Sequence, residues 1–344
     1  MTHKLRTGVV GVGHMGVNHA RIYSELPDAP LTAVFDINPA TCQSVAARFN
    51  VKAATSLEDF ANSIDAATIC TPTVTHFDIA SALLAKGKHI LVEKPITETP
   101  DQARQLAQLA AKNHCILQVG HIERFNPAFA ALEARLQNPR FLEVTRLSPY
   151  PHRSTDIGVV LDLMIHDIEI TLHLVKSPIL SIDPIGIPVL SKNEDIANVR
   201  LHFANGCVAN LTASRISQSR VRKIRVFQEN AYLSLDYQNQ SGYLLRLAND
   251  NETESSTLGK LIGLATDSAI VSEYAGRRIV REPVEIQKGE PLKNELRSFI
   301  DCARSGKQPR VTGDHAAAAL DLALEISRRI EAADPRKKNN PPLP

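Results

Sequence analysis

The sequence has no tryptophan, so no ligand can be held by stacking on an indole. It has little cysteine: Cys42, Cys70, Cys115, Cys207 and Cys302 are odd in number and show no CxxC spacing. This argues against a disulfide framework and predicts reduced thiols in a cytosolic protein. Cys70 and Cys115 fall within apolar runs and are expected to serve packing. Neither sign of charge dominates, since 39 Lys and Arg oppose 37 Asp and Glu for a net charge of +2. That balance offers no general electrostatic case for nucleic acid or a membrane surface. The apolar stretches are short and strand-like, and none is long enough to span a bilayer. Residues 1–6 lead straight into the first of them, without the pattern of a signal peptide. No internal repeat is evident.

What is present is the composition of a soluble globular chain, 43% hydrophobic and 22% charged. Its 344 residues suffice for two domains. Strand-like runs at 7–10, 31–35, 66–70, 89–92 and 115–119 alternate with helical periods at 15–25, 39–49, 57–63, 76–86 and 100–112. That rhythm predicts a doubly wound parallel sheet with crossover helices. Beyond residue 120 the pattern changes to a short helix at 127–136, a strand at 140–147 and a helix at 159–175. Runs at 196–204 and 207–214 then flank Asn205-Gly206, a strong hairpin signal. Strands at 221–228, 231–236 and 242–248 extend a mainly antiparallel sheet, and 249–256 reads as a polar loop. Helices at 292–304 and 315–333 follow, and 334–344 reads as a solvated, disordered tail. The expected organisation is an α/β chain with domains at 1–120 and 121–333. A sheet faced by helices on one side needs a cover on the other. A second subunit is the usual cover, so a homodimer or homotetramer is expected.

The strongest chemical signal is Gly11-Val-Gly13-His14-Met15-Gly16, directly after Val9-Val10 and at the opening of a helix. The first glycine permits the strand-to-helix turn. The second lets a pyrophosphate approach bare backbone, and the third lets the helix pack closely on the sheet. Free amides and the positive end of the helix dipole then face the phosphates. Asp36 ends the second apolar run, placed to accept from the two ribose hydroxyls of an adenosine. A carboxylate there repels a 2′-phosphate, and Ile37-Asn38-Pro39 supplies no arginine to receive one, so NAD is expected rather than NADP. A lone GxGxxG also marks turns that bind nothing. The flanking strand, the helix and the spaced acid set this one apart as a Rossmann domain.

Glu93-Lys94-Pro95 follows the strand at 89–92, at the carboxyl end where open parallel sheets bind ligands. Lys94 can hydrogen-bond a substrate hydroxyl and stabilise developing negative charge. By position alone it also fits a surface lysine. Asp162 and His166 stand four residues apart, on one helix face. Histidine suits a general base because it titrates near neutrality, and a carboxylate beside it can orient the ring. An exposed Asp–His pair is the plainer alternative. Glu169 and His173 continue this face, but four ligands spread over about three turns cannot surround one ion, so no metal is expected.

Together these features resemble the Gfo/Idh/MocA oxidoreductases, the family of glucose–fructose oxidoreductase and inositol dehydrogenase. The likeness rests on the glycine motif, Cys70-Thr71-Pro72 followed by His76, and Glu93-Lys94-Pro95. It rests also on Asp162-x-x-x-His166 and on Glu290-Pro-Leu-Lys-Asn-Glu-Leu-Arg-Ser-Phe299, in the family's order over nearly the whole chain. It implies a Rossmann domain followed by an α/β domain with a large open sheet often used for oligomer contacts. It implies a cis Lys94–Pro95 bond and a catalytic set of Lys94, Asp162 and His166. NAD is then expected at Gly11, Gly13, His14, Met15, Gly16 and Asp36, and beside Thr71, Pro72, His76, Glu93 and Lys94.

The stretches 120–127 and 156–167 are similar to those of a narrower group of bacterial enzymes. That group oxidises the 3-hydroxyl of UDP-N-acetylglucosamine, and an aminotransferase converts the 3-keto sugar nucleotide on the route to a lipid A diamino sugar. In the expected reaction His166 or Lys94 takes the hydroxyl proton as hydride leaves the same carbon for the nicotinamide. Asp162 fixes the histidine or a neighbouring hydroxyl. Arg124, Arg146, Arg153 and Arg215 are candidate cations for the diphosphate, with His121 and Asn126 as further polar contacts. Competing expectations are a dehydrogenase of inositol, a free hexose or a UDP-hexuronic acid, and a non-catalytic NAD-sensing regulator. The regulator needs the glycine motif but not Lys94, Asp162 and His166.

Overall fold

The computed structural model describes residues 4–150, 157–248, 269–274 and 277–334. Contacts divide the chain into two units, Met1–Phe125 with Gly289–Leu322, and Asn126–Lys288 with Ala323–Pro344.

In the first unit, β1 (Thr7–Val10), β2 (Leu31–Phe35), β3 (Lys52–Ala53), β4 (Ala66–Ile69), β5 (His89–Glu93) and β6 (Leu117–Gly120) form one parallel sheet. Their order, β3-β2-β1-β4-β5-β6, reverses between β1 and β4, where a doubly wound sheet opens its ligand crevice. The crossovers carry α1 (His14–Ser24), α2 (Pro39–Phe49), α3 (Leu57–Asn62), α4 (His76–Ala85) and α5 (Pro100–Lys112). Local chemistry starts these helices. Asn38 Oδ1 accepts from the Ala40 and Thr41 amides, with Pro39 opening α2. Thr99 and Gln102 form a capping box around the start of α5. The two-residue β3 is too short to carry a readable alternation, and the sequence does not disclose it.

The chain returns to this unit near its end. Helix α8 (Pro291–Ser305) buries Leu292, Leu296, Phe299 and Ile300 in the same core as Val9, Tyr23, Val34 and Leu91. Their spacing is a single helical stripe. At its rim Lys293 pairs with Glu25 at 3.0 Å and Arg297 with Asp28 at 2.8 Å. The expected continuous second domain is thereby corrected, since Gly289–Leu322 completes the first unit. The physical reason is that the apolar stripe of α8 packs on α1. Beyond Asp334 the expected tail lies outside the described residues.

The second unit is built on a nine-stranded sheet. Its strands are β7 (Phe141–Leu147), β8 (Ile179–Ile187), β9 (Ile196–Phe203), β10 (Val208–Ser214), β11 (Val221–Gln228), β12 (Ala231–Asp236), β13 (Ser241–Leu247), β14 (Ala269–Tyr274) and β15 (Arg277–Pro283). The order is β14-β15-β13-β12-β11-β7-β10-β9-β8. Every pair is antiparallel except β7 with β10. β8 escapes a reading by alternation because Pro184 and Gly186 interrupt it, and it lies at the sheet edge, where proline is tolerated. Gly206 takes φ +82° and donates to Phe203 O at 2.9 Å, which closes the β9–β10 hairpin. Leu142, Val144, Val199, Leu201, Ala209 and Leu211 alternate onto one buried face. The opposite face carries Phe141, Phe227, Tyr232 and Tyr243, with successive ring centroids 5.5, 4.6 and 5.9 Å apart. Helices α6 (Pro127–Glu133) and α7 (Ile165–Val175) belong to this unit, and α9 (Gly313–Ala333) is shared along the chain between the two. The helix expected at 159–175 is two pieces, a π-helical turn at Val160–Met164 and then α7. The expected polar loop at 249–256 lies outside the described residues.

Candidate active site

In the first unit the glycine loop differs at each of its three glycines. Gly11 has φ +79°, and a Cβ there would stand 2.8 Å from Thr71 Cγ2. Only glycine takes that backbone conformation freely. A Cβ on Gly16 would lie 1.9 Å from Gly11 O, so the first turn of α1 has no room for a methyl group. Around Gly13 nothing lies within 4 Å of the Cβ position. Gly13 is the exposed N-cap of α1, and no side chain caps the helix amides. Bare backbone facing open space at a helix N-terminus fits a pyrophosphate, so these residues suit NAD. Asp36 Oδ2 accepts from Val12 N at 2.9 Å and Oδ1 from Asn38 N at 2.9 Å, which ties the acid to the glycine loop. Next to it Ile37 is 95% exposed. His14 is exposed and Met15 half-buried in the first turn of α1.

Thr71 and Pro72 leave β4 into a 3₁₀ turn at Thr73–Thr75. His76, expected at the cofactor, is buried as a strut instead. Its ring nitrogens lie 2.9 Å from Pro95 O and 2.8 Å from Thr71 O, joining the segment after β4 to the segment after β5. Burial holds its pKa below the ordinary value, and a neutral ring donates to one of those carbonyls at a time. Glu93 likewise works through structure: Oε1 accepts from His19 Nε2 at 3.0 Å and Oε2 from Lys94 N at 3.2 Å. Lys94 is half-buried at the end of β5, and the Lys94–Pro95 bond is cis, as the resemblance implies. His121, just past β6, is buried, and burial followed by the nearby charges of Lys94 and Arg124 pushes its pKa down to about 3. The fold thus brings Lys94, His121 and Arg124 within electrostatic reach, with His121 neutral at physiological pH. Among the described residues, one set of three potential metal ligands lies within 4.8 Å of one another: His19, Cys70 and Glu93. Burial and the neighbouring Glu93 and Glu295 push the Cys70 thiol well above its ordinary pKa, which disfavours the thiolate a metal needs.

Behind this strand end sits Glu295 of α8, fully buried, with neither carboxylate oxygen hydrogen-bonded among the described residues. Burial, then the charge of Glu93, raises its pKa well above the ordinary value, so the folded protein holds it as the neutral acid. The sequence gives it no signal beyond its place in the C-terminal motif. A raised folded-state pKa contributes stability below the unfolded value of about 4.3 and loses it as pH rises toward the folded value. Glu295→Gln is therefore expected to raise the melting temperature, by an increment that grows from pH 5 to pH 8. An increment constant with pH would contradict a neutral Glu295.

In the second unit, Asp162 lies in the π-helical turn and His166 in the first turn of α7, both half-buried. The rest of the expected face diverges. Glu169 is buried, and His173 Nε2 lies 2.6 Å from Glu133 Oε1. Asn126 caps α6 by accepting from Ala128 N at 3.0 Å and donates to Tyr237 O at 3.0 Å, a structural use of a residue expected to meet substrate. Arg146 forms a buried two-pronged pair with Asp167, Nε to Oδ2 at 2.8 Å and Nη2 to Oδ1 at 2.7 Å. Drawing Arg146 away would break a buried ion pair, at a cost of about 3–5 kcal/mol. Arg215 is 0% exposed and donates to Asp195 Oδ1, Ile157 O and Ser191 Oγ at 2.8, 2.7 and 2.9 Å. Its expected contact with a diphosphate is replaced by this internal set, because Nε, Nη1 and Nη2 are each engaged within the fold and the side chain is wholly buried. Arg124 is buried near its carbonyl contact from Arg310, and Arg153 lies outside the described residues.

Residues 5–121 match the oxidoreductase family with an NAD-binding Rossmann fold, and residues 130–234 match the GFO/IDH/MocA C-terminal domain. The chain is 32% identical to the UDP-N-acetylglucosamine 3-dehydrogenase of Acidithiobacillus ferrooxidans, over 95% of this chain and 98% of that one. The solved structure of that enzyme superposes with a TM-score of 0.83 over the same shares of both chains. It is 29% identical to an inositol 2-dehydrogenase of Rhizobium meliloti, over 95% of this chain and 97% of the relative. With a parallel sheet of Rossmann order, a glycine loop open at Gly13 and two family domains in sequence, the chain belongs to the Gfo/Idh/MocA family of NAD-binding oxidoreductases.

Proposed function

We propose that the protein oxidises the 3-hydroxyl of UDP-N-acetylglucosamine to a 3-keto sugar nucleotide, which an aminotransferase consumes. The full-length likeness to the Acidithiobacillus enzyme carries this reading. Bound NAD+ supplies the hydride acceptor. The Gly13 backbone and the α1 amides receive the pyrophosphate, Asp36 the ribose hydroxyls, and the exposed Ile37 one face of the adenine. Lys94 donates to the substrate oxygen as it gains charge. His166 accepts the hydroxyl proton, and Asp162 orients the ring. The route to a lipid A diamino sugar and a cytoplasmic location belong to the same proposal. Among the described residues no helix is long and apolar enough to cross a membrane, and all five cysteines are free. We also assign the aromatic face of the nine-stranded sheet to contact with a second copy of the chain, to be tested by scattering in solution.

A second reading has a specific observation in its favour. Two of the four arginines expected at the diphosphate, Arg146 and Arg215, are committed to buried carboxylates. That leaves room for a substrate without a diphosphate, such as inositol. The two separate by NADH formation with UDP-N-acetylglucosamine, free N-acetylglucosamine and myo-inositol, in the presence of a carbonyl trap or the partner aminotransferase. The sugar-nucleotide reading expects kcat/KM with the free sugar to be lower by about 10²-fold or more, the loss of one or two charge-assisted hydrogen bonds. Equal rates with and without the nucleotide, or turnover of inositol alone, would discard it.

A further inference from the structure

Segment 157–160 leads into the π-helical turn that holds Asp162, and its polar groups are gripped from one side. Arg215 Nη1 donates to Ile157 O at 2.7 Å. Val159 N donates to Glu194 O at 2.9 Å and Val160 N to Glu194 Oε1 at 3.3 Å. These are amides at a helix start, which lack partners within the helix itself. Glu194 is packed so closely that a Cβ on Gly158 would fall 1.9 Å from its Oε1.

The grip is itself fixed. Glu194 and Asp195 end the β8–β9 connection. Asp195 Oδ2 accepts from the amides of Val189, Leu190 and Ser191 at 2.8, 2.6 and 2.9 Å, and Asp195 Oδ1 accepts from Ser191 Oγ at 2.8 Å. Arg215 adds its Nε to the same Oδ1 at 2.8 Å, and its own amide donates to Asp195 O at 2.9 Å. Both side chains of the pair are wholly buried. On the far side of the turn Arg146 holds Asp167, the residue after His166. Two buried guanidinium–carboxylate pairs therefore bracket the stretch carrying Asp162 and His166. A π-helical turn has wider hydrogen bonding than an α-helix and is marginal alone, so its register needs outside support.

We propose that Arg215 is a positioning residue, which through Asp195, Ser191 and Glu194 holds segment 157–160 and so sets the placement of Asp162 against His166. This rests on the reading of Asp162 and His166 as catalytic. The role is not open to lysine, whose single ammonium cannot donate in three fixed directions. Reacting groups are sensitive to displacement of about 1 Å, which can cost about 10²-fold in rate.

Arg215→Lys and Gly158→Ala test this in the full-length chain. The second pushes on Glu194 and leaves every charge in place. Both are expected to lower kcat by about 10- to 100-fold, with NAD+ affinity and substrate KM within about twofold of wild type. In 15N-histidine spectra, with His166 assigned by its loss in His166→Gln, the His166 midpoint is expected to move while that of exposed His14 stays. An unchanged kcat and unchanged His166 midpoint in a folded variant overturns the proposal. So does a lower kcat with the His166 midpoint in place, since loss of folded protein alone gives that result. If Arg215→Lys does not fold, Gly158→Ala decides by the same readouts. If the wild type oxidises no sugar, the substrate reading fails, and the His166 midpoint still decides the placement role.

Discussion

His166→Ala is expected to lower turnover by about 10²–10⁴-fold while leaving NAD+ affinity at its wild-type value, the range typical of losing a placed proton acceptor. The second half of that expectation is structural. His166 lies in the second unit, whereas the glycine loop and Asp36 lie in the first. The ring is half-buried, while Ile165, Asp167 and Ile168 on the same helix are buried. Steady-state rates with calorimetric titration of NAD+ check both halves. If the rate is near wild type, Lys94 is the base and His166 is not. If NAD+ affinity falls with the rate, the residue serves binding rather than proton transfer. Measuring kcat against pH adds the sign: an acceptor must be neutral to act, so activity rises as pH passes upward through its pKa.

Gly16→Ala and Gly13→Ala are expected to fail in different ways. A methyl group at Gly16 meets a backbone carbonyl 1.9 Å away, which no side-chain rotation relieves. The first turn of α1 must move off the β1 turn, with a stability loss on the order of 3 kcal/mol and no measurable NAD+ binding. A methyl group at Gly13 meets nothing within 4 Å, and its φ of −72° suits alanine. The free protein should tolerate it to within about 1 kcal/mol, the scale of an altered N-cap. The methyl would occupy the space above the helix amides, so NAD+ affinity should fall by about 10²-fold, about 3 kcal/mol of lost phosphate contact. Thermal melts with NAD+ titrations separate the two. Normal NAD+ binding by Gly13→Ala would move the pyrophosphate away from this loop.

The parallel sheet was legible because its information is local. Each strand is a contiguous apolar run, each helix begins at a cap written in neighbouring residues such as Asn38-Pro39 or Thr99-Pro100, and the glycine spacing encodes one turn. The antiparallel hairpin at Asn205-Gly206 was readable for the same reason. Strands without a local pattern were not, as β8 shows with Pro184 and Gly186 inside it.

Side-chain assignments divided along the same line. Residue type states which bonds a group can make, and the sequence alone determined a parallel Rossmann sheet that opens on the glycine turn at Gly11, Gly13 and Gly16, with Lys94 at the end of an inner strand and Asp162 and His166 near neighbours on one helical stretch. It could not state with whom a long or distant group pairs. A guanidinium fits a phosphate and a carboxylate equally well. Only the tertiary structure decided that Arg146 meets Asp167, 21 residues away, that Arg215 meets Asp195, 20 residues away, and that Asn126 reaches Tyr237, 111 residues away. The same holds for α8. Its apolar stripe is written in the sequence, but the surface it covers, α1 of the first unit, is chosen by packing, because a stripe of leucine and phenylalanine specifies burial and not a partner.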